Sequence, residues 1–307
     1  MSSYFGVIGN RDYIKIDGRP RPYWEFLDEQ PAGWLTSLAY AREDLPPRQR
    51  MIFDCGAWSY RAEAVPQLRG ERVTAGWAFR QYLARARPGD YLIAPDHMLI
   101  GRYGNLEERR RFNRRSAAEF LELVAGTDFE PVVTAHGVDL AEKVENARWL
   151  ADLGYEAIAL GGLAGRASAK ADNIAAVEAI RAELPWHYLH VLGLSSPDYA
   201  GQWSRLGINS FDGSSHFKQA FTAGIYFMEQ DGELVRHKAA RTERGRPDRL
   251  LEPITAPRCD CRACEVLRRQ GVDTRTYGSN ENNMGRAAHN QNMLMRAHRR
   301  QMEVAAV

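Results

Sequence analysis

Residues 131–160 read PVVTAHGVDLAEKVENARWLADLGYEAIAL. Two short apolar runs, Pro131–Ala135 and Ala157–Leu160, flank a segment of helical period over Leu140–Leu153. Runs of four or five apolar residues are strand-sized, and the segment between them is helix-sized. The stretch is therefore a strand–helix–strand unit, which makes the two strands parallel. The alternation extends in both directions. Further apolar runs lie at Tyr4–Ile8, Leu35–Tyr40, Met51–Phe53, Tyr91–Ala94, Leu189–Leu192 and Ser210–Phe211. Helical patterns fall over Ala75–Arg87, which Pro88-Gly89 stops, and over Leu106–Val124, Asn173–Leu184 and Asp198–Leu206. Eight strands within about 210 residues fit an α/β chain folded as a (β/α)8 TIM barrel. A doubly wound open sheet is the alternative. Its Gly-rich turn is missing, since Gly6 and Gly9 follow the first strand without a third glycine.

The texture changes after Ala223. Phe227–Arg236 reads as a hairpin about Gln230-Asp231-Gly232, and Arg241–Pro257 is polar and broken by Gly245, Pro247, Pro253 and Pro257. A helical pattern then runs from about Asn283 to Met302. We therefore expect a catalytic barrel over 1–225, with 283–307 as an optional closing helix. A zinc-binding subdomain with the C-terminal helix would occupy 226–307. The 307 residues are 44% hydrophobic and 26% charged, enough for a sizeable core. The N-terminal MSSYFGVIGNRDY carries no secretory pattern, and no run of 18 apolar residues exists. The expectation is a cytoplasmic protein with reduced thiols.

Three of the four cysteines, Cys259, Cys261 and Cys264, fall within six residues, and His289 follows in a helical pattern. Three thiolates and one imidazole form a tetrahedral set for structural Zn²⁺, with no position left open for chemistry. His298 is a weaker candidate for the fourth ligand.

Barrel chemistry collects at the C-terminal ends of the strands. Asp54, Asp96 and Asp212 each follow a strand there, and His136 and Gly161-Gly162 would line the same rim. A lone aspartate at such a place is commonly a helix cap. Three at equivalent places point to one pocket. One carboxylate can act as a nucleophile at a sugar carbon or as a general acid and base. Another can accept hydrogen bonds from a flat base, on which Trp58 could stack.

These residues resemble the tRNA-guanine transglycosylase superfamily, over roughly Met51 to His298. The resemblance rests first on Cys-x-Cys-x₂-Cys followed by His289. It rests next on Gly193-Leu-Ser-Ser-Pro197-Asp198 leading to Phe211-Asp212. Phe53-Asp54-Cys55-Gly56-Ala57-Trp58, Pro95-Asp96 and Gly161-Gly162-Leu163-Ala164 complete it. It implies Asp212 as nucleophile, Asp54 as general acid and base, and Trp58 as the stacking aromatic. It implies Asp96 as reader of the base edge, with Gly161, Gly162 and Leu163 as backbone contacts. His136 stands where the family has a base-binding glutamine. Cys55, His97, His136 and Arg166 would tune which base enters. The family's Pro-Thr-Arg segment after the nucleophile is replaced by Gly213-Ser-Ser-His-Phe-Lys-Gln. That departure, with the short chain after the zinc helix, favours the phage and bacterial branch (the DpdA type), which modifies DNA. In a phage-encoded enzyme the compartment would be the host cytoplasm.

The implied activity is that of a pentosyltransferase. It would replace guanine in DNA by a free 7-deazaguanine base of the preQ0 kind, through a covalent aspartyl–sugar intermediate. Such a target base must be flipped out or single-stranded. The alternatives are exchange on tRNA, a nucleoside or glycoside hydrolase on the same barrel, and a nucleic-acid-binding zinc protein without catalysis. The net charge of +2 hides a local excess. Between Arg236 and Arg300, 15 Lys and Arg face 7 Asp and Glu, which suits a phosphate backbone. Arg109–Arg111 with Arg114-Arg115 reads instead as a solvated helix face, because Glu107-Glu108 adjoin it. A homodimer through the zinc subdomain is an expectation by family analogy.

Overall fold

A computed structural model of the chain describes residues 2–10, 12–40, 44–47, 49–164, 169–229, 232–243 and 246–305. Arg166, Gln230, Asp231 and Gly245 lie outside the described residues. Eight parallel strands close into a barrel, each paired with its neighbours in chain order. They are β1 (Ser3–Ile8), β2 (Gly33–Ser37), β3 (Arg50–Asp54), β4 (Tyr91–Ile93), β5 (Glu130–Ala135), β6 (Ala157–Leu160), β7 (Tyr188–Val191) and β8 (Ser210–Gly213). Closure comes from β8 pairing with β1, Phe5 opposite Asp212 and Gly6 opposite Gly213. All eight apolar runs in the sequence are barrel strands.

Helices join the later strands: α1 (Ala75–Leu83), α2 (Leu106–Val124), α3 (Leu140–Asp152), α4 (Lys170–Glu183) and α5 (Pro197–Arg205). Their starts follow local chemistry. The Thr74 hydroxyl accepts from the Trp77 amide, the Asn105 side chain from the amides of Glu107 and Glu108, and Asp139 from the Glu142 amide. Each satisfies donors that the helix's first turn leaves open, and the acids of α2 complement its dipole. The early connections differ. Between β1 and β2 the chain makes a hairpin, Tyr13–Ile16 with Arg19–Pro22, and a single 3₁₀ turn, Tyr23–Phe26.

The barrel interior is apolar at its waist. Phe5, Leu35, Ile52, Tyr91, Ile93, Val132, Ala157 and Ala159 form one buried cluster. These are alternate residues of successive strands, because side chains of a strand point to opposite faces in turn. Gly33 admits this packing. A Cβ there would lie 2.2 Å from the Phe5 ring and 2.6 Å from the Arg50 carbonyl oxygen.

The backbone forms two compact units. The first is Met1–Asn10, Ala32–Leu194 and Gln202–Gly213, and it holds the whole barrel sheet. The second is Arg11–Pro31, Ser195–Gly201 and Ser214–Val307. The span 226–307 expected for the zinc subdomain falls inside this second unit, which also takes in the β1–β2 hairpin. It contains α6 (Ser215–Phe221), the antiparallel pair β9 (Gly224–Met228) and β10 (Leu234–Lys238), α7 (Arg262–Arg269) and the long α8 (Asn280–Ala305). Arg286 of α8 is fully buried and donates to the carbonyls of Ala220, Thr274 and Thr276. No described helix is long and apolar enough to cross a membrane.

Candidate active site

The three aspartates stand at the C-terminal ends of β3, β4 and β8, and the charges of Asp96 and Asp212 both act on Asp54. Asp212 is the third residue of β8 and points inward with Ser210, two residues before it. Its Oδ1 accepts from the Gly193 amide at 2.9 Å and lies 3.1 Å from His190 Nε2. Gly193 can present that amide because its backbone is left-handed (φ +75°), and a Cβ would sit 2.8 Å from Ala164. Among the described residues no donor is recorded at Oδ2.

Asp54 closes β3 and accepts at Oδ2 from the Gly56 amide at 3.0 Å. Burial raises its pKa to about 7, and the charges of Asp96 and, more weakly, Asp212 push the same way. Hydrogen bonds from Gly56 and Ser37 oppose this without cancelling it. Desolvation and like charge both disfavour the ionised form. Asp54 is therefore an acid poised to gain or lose a proton near neutral pH.

Asp96 is buried and braced on both oxygens. Oδ1 accepts from the Cys55 thiol at 3.0 Å, and Oδ2 lies 2.5 Å from His136 Nε2. The Tyr60 hydroxyl spans the same corner, 3.2 Å from Cys55 Sγ and 2.8 Å from the Asp96 carbonyl oxygen. Burial and the neighbouring carboxylates hold the Cys55 thiol well above its ordinary range, so it stays a protonated donor. His136 is thus fixed to Asp96 by the site itself.

Gly161 and Gly162 follow β6. A Cβ on Gly161 would lie 2.5 Å from Thr134 Cγ2 and 2.9 Å from His136 Cε1, and Gly162 is left-handed (φ +73°). Lys143 of α3 donates to the carbonyls of Gly137 (2.9 Å) and Gly161 (3.4 Å), tying the two strand-end loops together. Leu163 is buried. Trp58 is 56% exposed, and the Arg61 guanidinium lies 4.3 Å from its ring centroid, so one face of the expected stacking ring is taken. His97 is buried, with its backbone clamped by the Asn113 amide side chain. Burial and the nearby Arg109 lower its pKa to about 4.

Arg111, Arg114 and Arg115 of α2 are exposed, as a solvated face requires, and Arg109 is the exception. Arg109 is buried and donates to four backbone carbonyls, those of Arg61, Met98, Glu63 and Tyr103. It anchors the loops after β3 and β4 that carry Trp58 and His97. Arg110 pairs with Glu142 at 2.6 Å, and Arg114 lies over the Trp149 ring.

Tyr60, His190 and Lys143 escaped the sequence reading. His190 touches Asp212, and Lys143 spans the loops. A polar side chain at an inward position of a barrel strand, Tyr188-Leu-His190, was the available signal for His190.

In the second unit Cys259, Cys261, Cys264 and His289 gather with their ligand atoms within 4.8 Å of one another. His289 Nδ1 lies 3.3 Å from Cys264 Sγ and 3.5 Å from Cys261 Sγ. Its Nε2 donates to the Tyr226 carbonyl oxygen at 2.6 Å, which turns Nδ1 toward the thiols. The Cys261 amide points at Cys259 Sγ (3.4 Å) and Thr274 Oγ1 at Cys264 Sγ (3.1 Å). Three thiols and one oriented imidazole, with their ligand atoms within 4.8 Å of one another, form a donor set that fits Zn²⁺. His298 is elsewhere, with Nε2 2.6 Å from the Ser195 carbonyl oxygen.

The chain is similar to a DNA-guanine transglycosylase of Salmonella montevideo. The identity is 25% over 189 residues, 58% of this chain and 43% of the relative. This chain therefore matches less than half the length of that protein. The match supports the likeness to the tRNA-guanine transglycosylase superfamily carried by the strand-end and cysteine motifs. No family model matches the chain.

Proposed function

We propose that the chain is a DNA guanine transglycosylase, replacing guanine by a free 7-deazaguanine base of the preQ0 kind. The observation that carries the reading is the pairing of two unlike carboxylates at one strand-end pocket. Asp212 is held by two donors on one oxygen, and Asp54 is tuned to about 7.

Asp212 Oδ2 attacks C1′ of the target nucleotide, and the C1′–N9 bond breaks. Guanine leaves with a proton from Asp54. The incoming base gives its N9 proton back to Asp54 and attacks C1′, which releases the Asp212 carboxylate. A group with a pKa near the working pH can do both proton transfers. Asp96 keeps lone pairs beyond those used by Cys55 and His136, and these can accept from the N–H edge of a guanine-like base. Gly161, Gly162 and Leu163 supply backbone beside it, and Trp58 supplies its uncovered ring face. The local positive excess after Arg236 supports a phosphate-contacting surface, and a zinc ion on Cys259, Cys261, Cys264 and His289 would brace that region.

The test is incubation with isotope-labelled preQ0 and either DNA or tRNA, followed by mass spectrometry of the digested nucleosides. Label in DNA, and a denaturation-resistant DNA adduct with wild type but not with Asp212→Ala, is the expected result. Guanine release without uptake would make the chain a hydrolase. Label in tRNA alone would move the substrate.

A further inference from the structure

His190 sits on β7 directly beside the carboxylate proposed as nucleophile, and no proton transfer in the reaction above involves it. It is 1% exposed, Ser210 0% and Asp212 5%. Its ring is packed edge-on against Phe5, with centroids 5.9 Å apart at 89°. His190 Nε2 lies 3.1 Å from Asp212 Oδ1, and Nδ1 lies 2.7 Å from Ser210 Oγ. Ser210 Oγ is in turn 2.6 Å from the Tyr188 hydroxyl. Tyr188 stacks on Tyr91, whose hydroxyl accepts from Arg50 at 2.7 Å.

Donor and acceptor chemistry gives this chain one direction. An ionised carboxylate only accepts, so Nε2 carries the proton. The other nitrogen of a neutral imidazole then accepts, so Ser210 donates to Nδ1 and accepts from Tyr188. Burial holds the Tyr188 hydroxyl well above its ordinary range, so it remains a donor. The ring can be neither flipped nor turned without breaking two bonds in a closed core.

We infer that His190 is a positioning residue for Asp212, kept in its Nε2–H tautomer by Ser210 and Tyr188 so that Oδ1 is held and Oδ2 faces the sugar. The inference rests on the exchange reading. It assigns no proton transfer to His190: the imidazole donates one hydrogen bond before, during and after the attack. A bond from a neutral donor to a carboxylate favours the ionised form. The other titratable groups facing Asp212 are Tyr4 on β1, whose hydroxyl is raised by burial and by the Asp212 charge, and Asp54 on β3.

The experiment is single-turnover formation of the covalent DNA adduct as a function of pH, for wild type, His190→Met, His190→Gln and Ser210→Ala, with melting curves for each. Met fills the space without a donor, whereas the Gln amide nitrogen can reach the place of Nε2. We expect His190→Met to slow adduct formation on the order of 10- to 100-fold, the range of one hydrogen bond to a charged group. Its acid limb should move up by roughly one pH unit, because the carboxylate loses a donor. His190→Gln should recover most of both changes, and Ser210→Ala should slow the reaction severalfold by freeing the tautomer. A wild-type rate in His190→Met, a slowed rate with an unmoved acid limb, or no recovery in His190→Gln overturns the inference. If His190→Met does not fold, the Gln and Ala variants decide alone: a wild-type rate and acid limb in Ser210→Ala, or in His190→Gln a loss as deep as that of an Asp212→Asn control, overturns it. Absence of any adduct in wild type would instead defeat the exchange reading, not the role of His190 within it.

Discussion

Asp54 is the residue whose environment says most about chemistry. Its pKa of about 7 lies above the ordinary carboxylate value, so the folded state binds a proton that the unfolded chain has released. Stability contributed by this group is therefore lost as pH rises from about 4 through 7. Asp54→Asn should remove that slope and melt higher than wild type at pH 8, while base exchange falls on the order of 10²- to 10⁴-fold. Melting curves at pH 5 and 8 beside an exchange assay check both halves, and a lower melting temperature at pH 8 would contradict the electrostatic account.

Between strands, the site is kept in register by tight contacts. Gly161→Ala would place a methyl within 2.9 Å of the His136 ring and closer still to Thr134. The expected outcome is displacement of His136 from Asp96 and loss of exchange, with melting changed far less. A crystal structure of the variant and its exchange rate test this together. Arg109 works across a longer span. Arg109→Met should strand four carbonyl oxygens of the two strand-end loops and cost about 3 kcal/mol or more. Thermal denaturation and protease cleavage within residues 55–105 would register it. The sequence shows α2 and its Asn105 cap plainly, since cap and period are local. It presents Arg109 as one of five similar arginines, because four acceptors from two distant loops leave no local pattern.

For the molecule as a whole, the Cys₃His cluster is where a bound metal would staple the second unit. Its ligands come from the segment before α7, from α7 itself and from α8. Metal analysis should find one zinc per chain, and Cys261→Ser or strong chelation should lower melting and open α8 to hydrogen exchange. Exchange protection in β1–β8, followed by mass spectrometry, reports separately on the barrel sheet. A chain that melts identically with and without chelator would argue against a structural metal.

The sequence by itself determined the eight strands and their alternation with helices, the cysteine cluster with its favoured histidine, and the strand-end placing of three aspartates. Each depends on the period of neighbouring residues or on short spacings. The closed order in which the strands pair came from the structure. Only the tertiary structure decided that Asp96 is locked to His136 and Cys55, that Trp58 already carries Arg61 on one face, and that His190 stands against Asp212. Apart from the local Trp58–Arg61 contact, these pairs join residues 22 to 41 positions apart at the ends of neighbouring strands, and burial there raises the pKa of Asp54. Proximity across a closed sheet and the loss of water around a carboxylate are properties of the packed molecule. No stretch of the chain holds them alone.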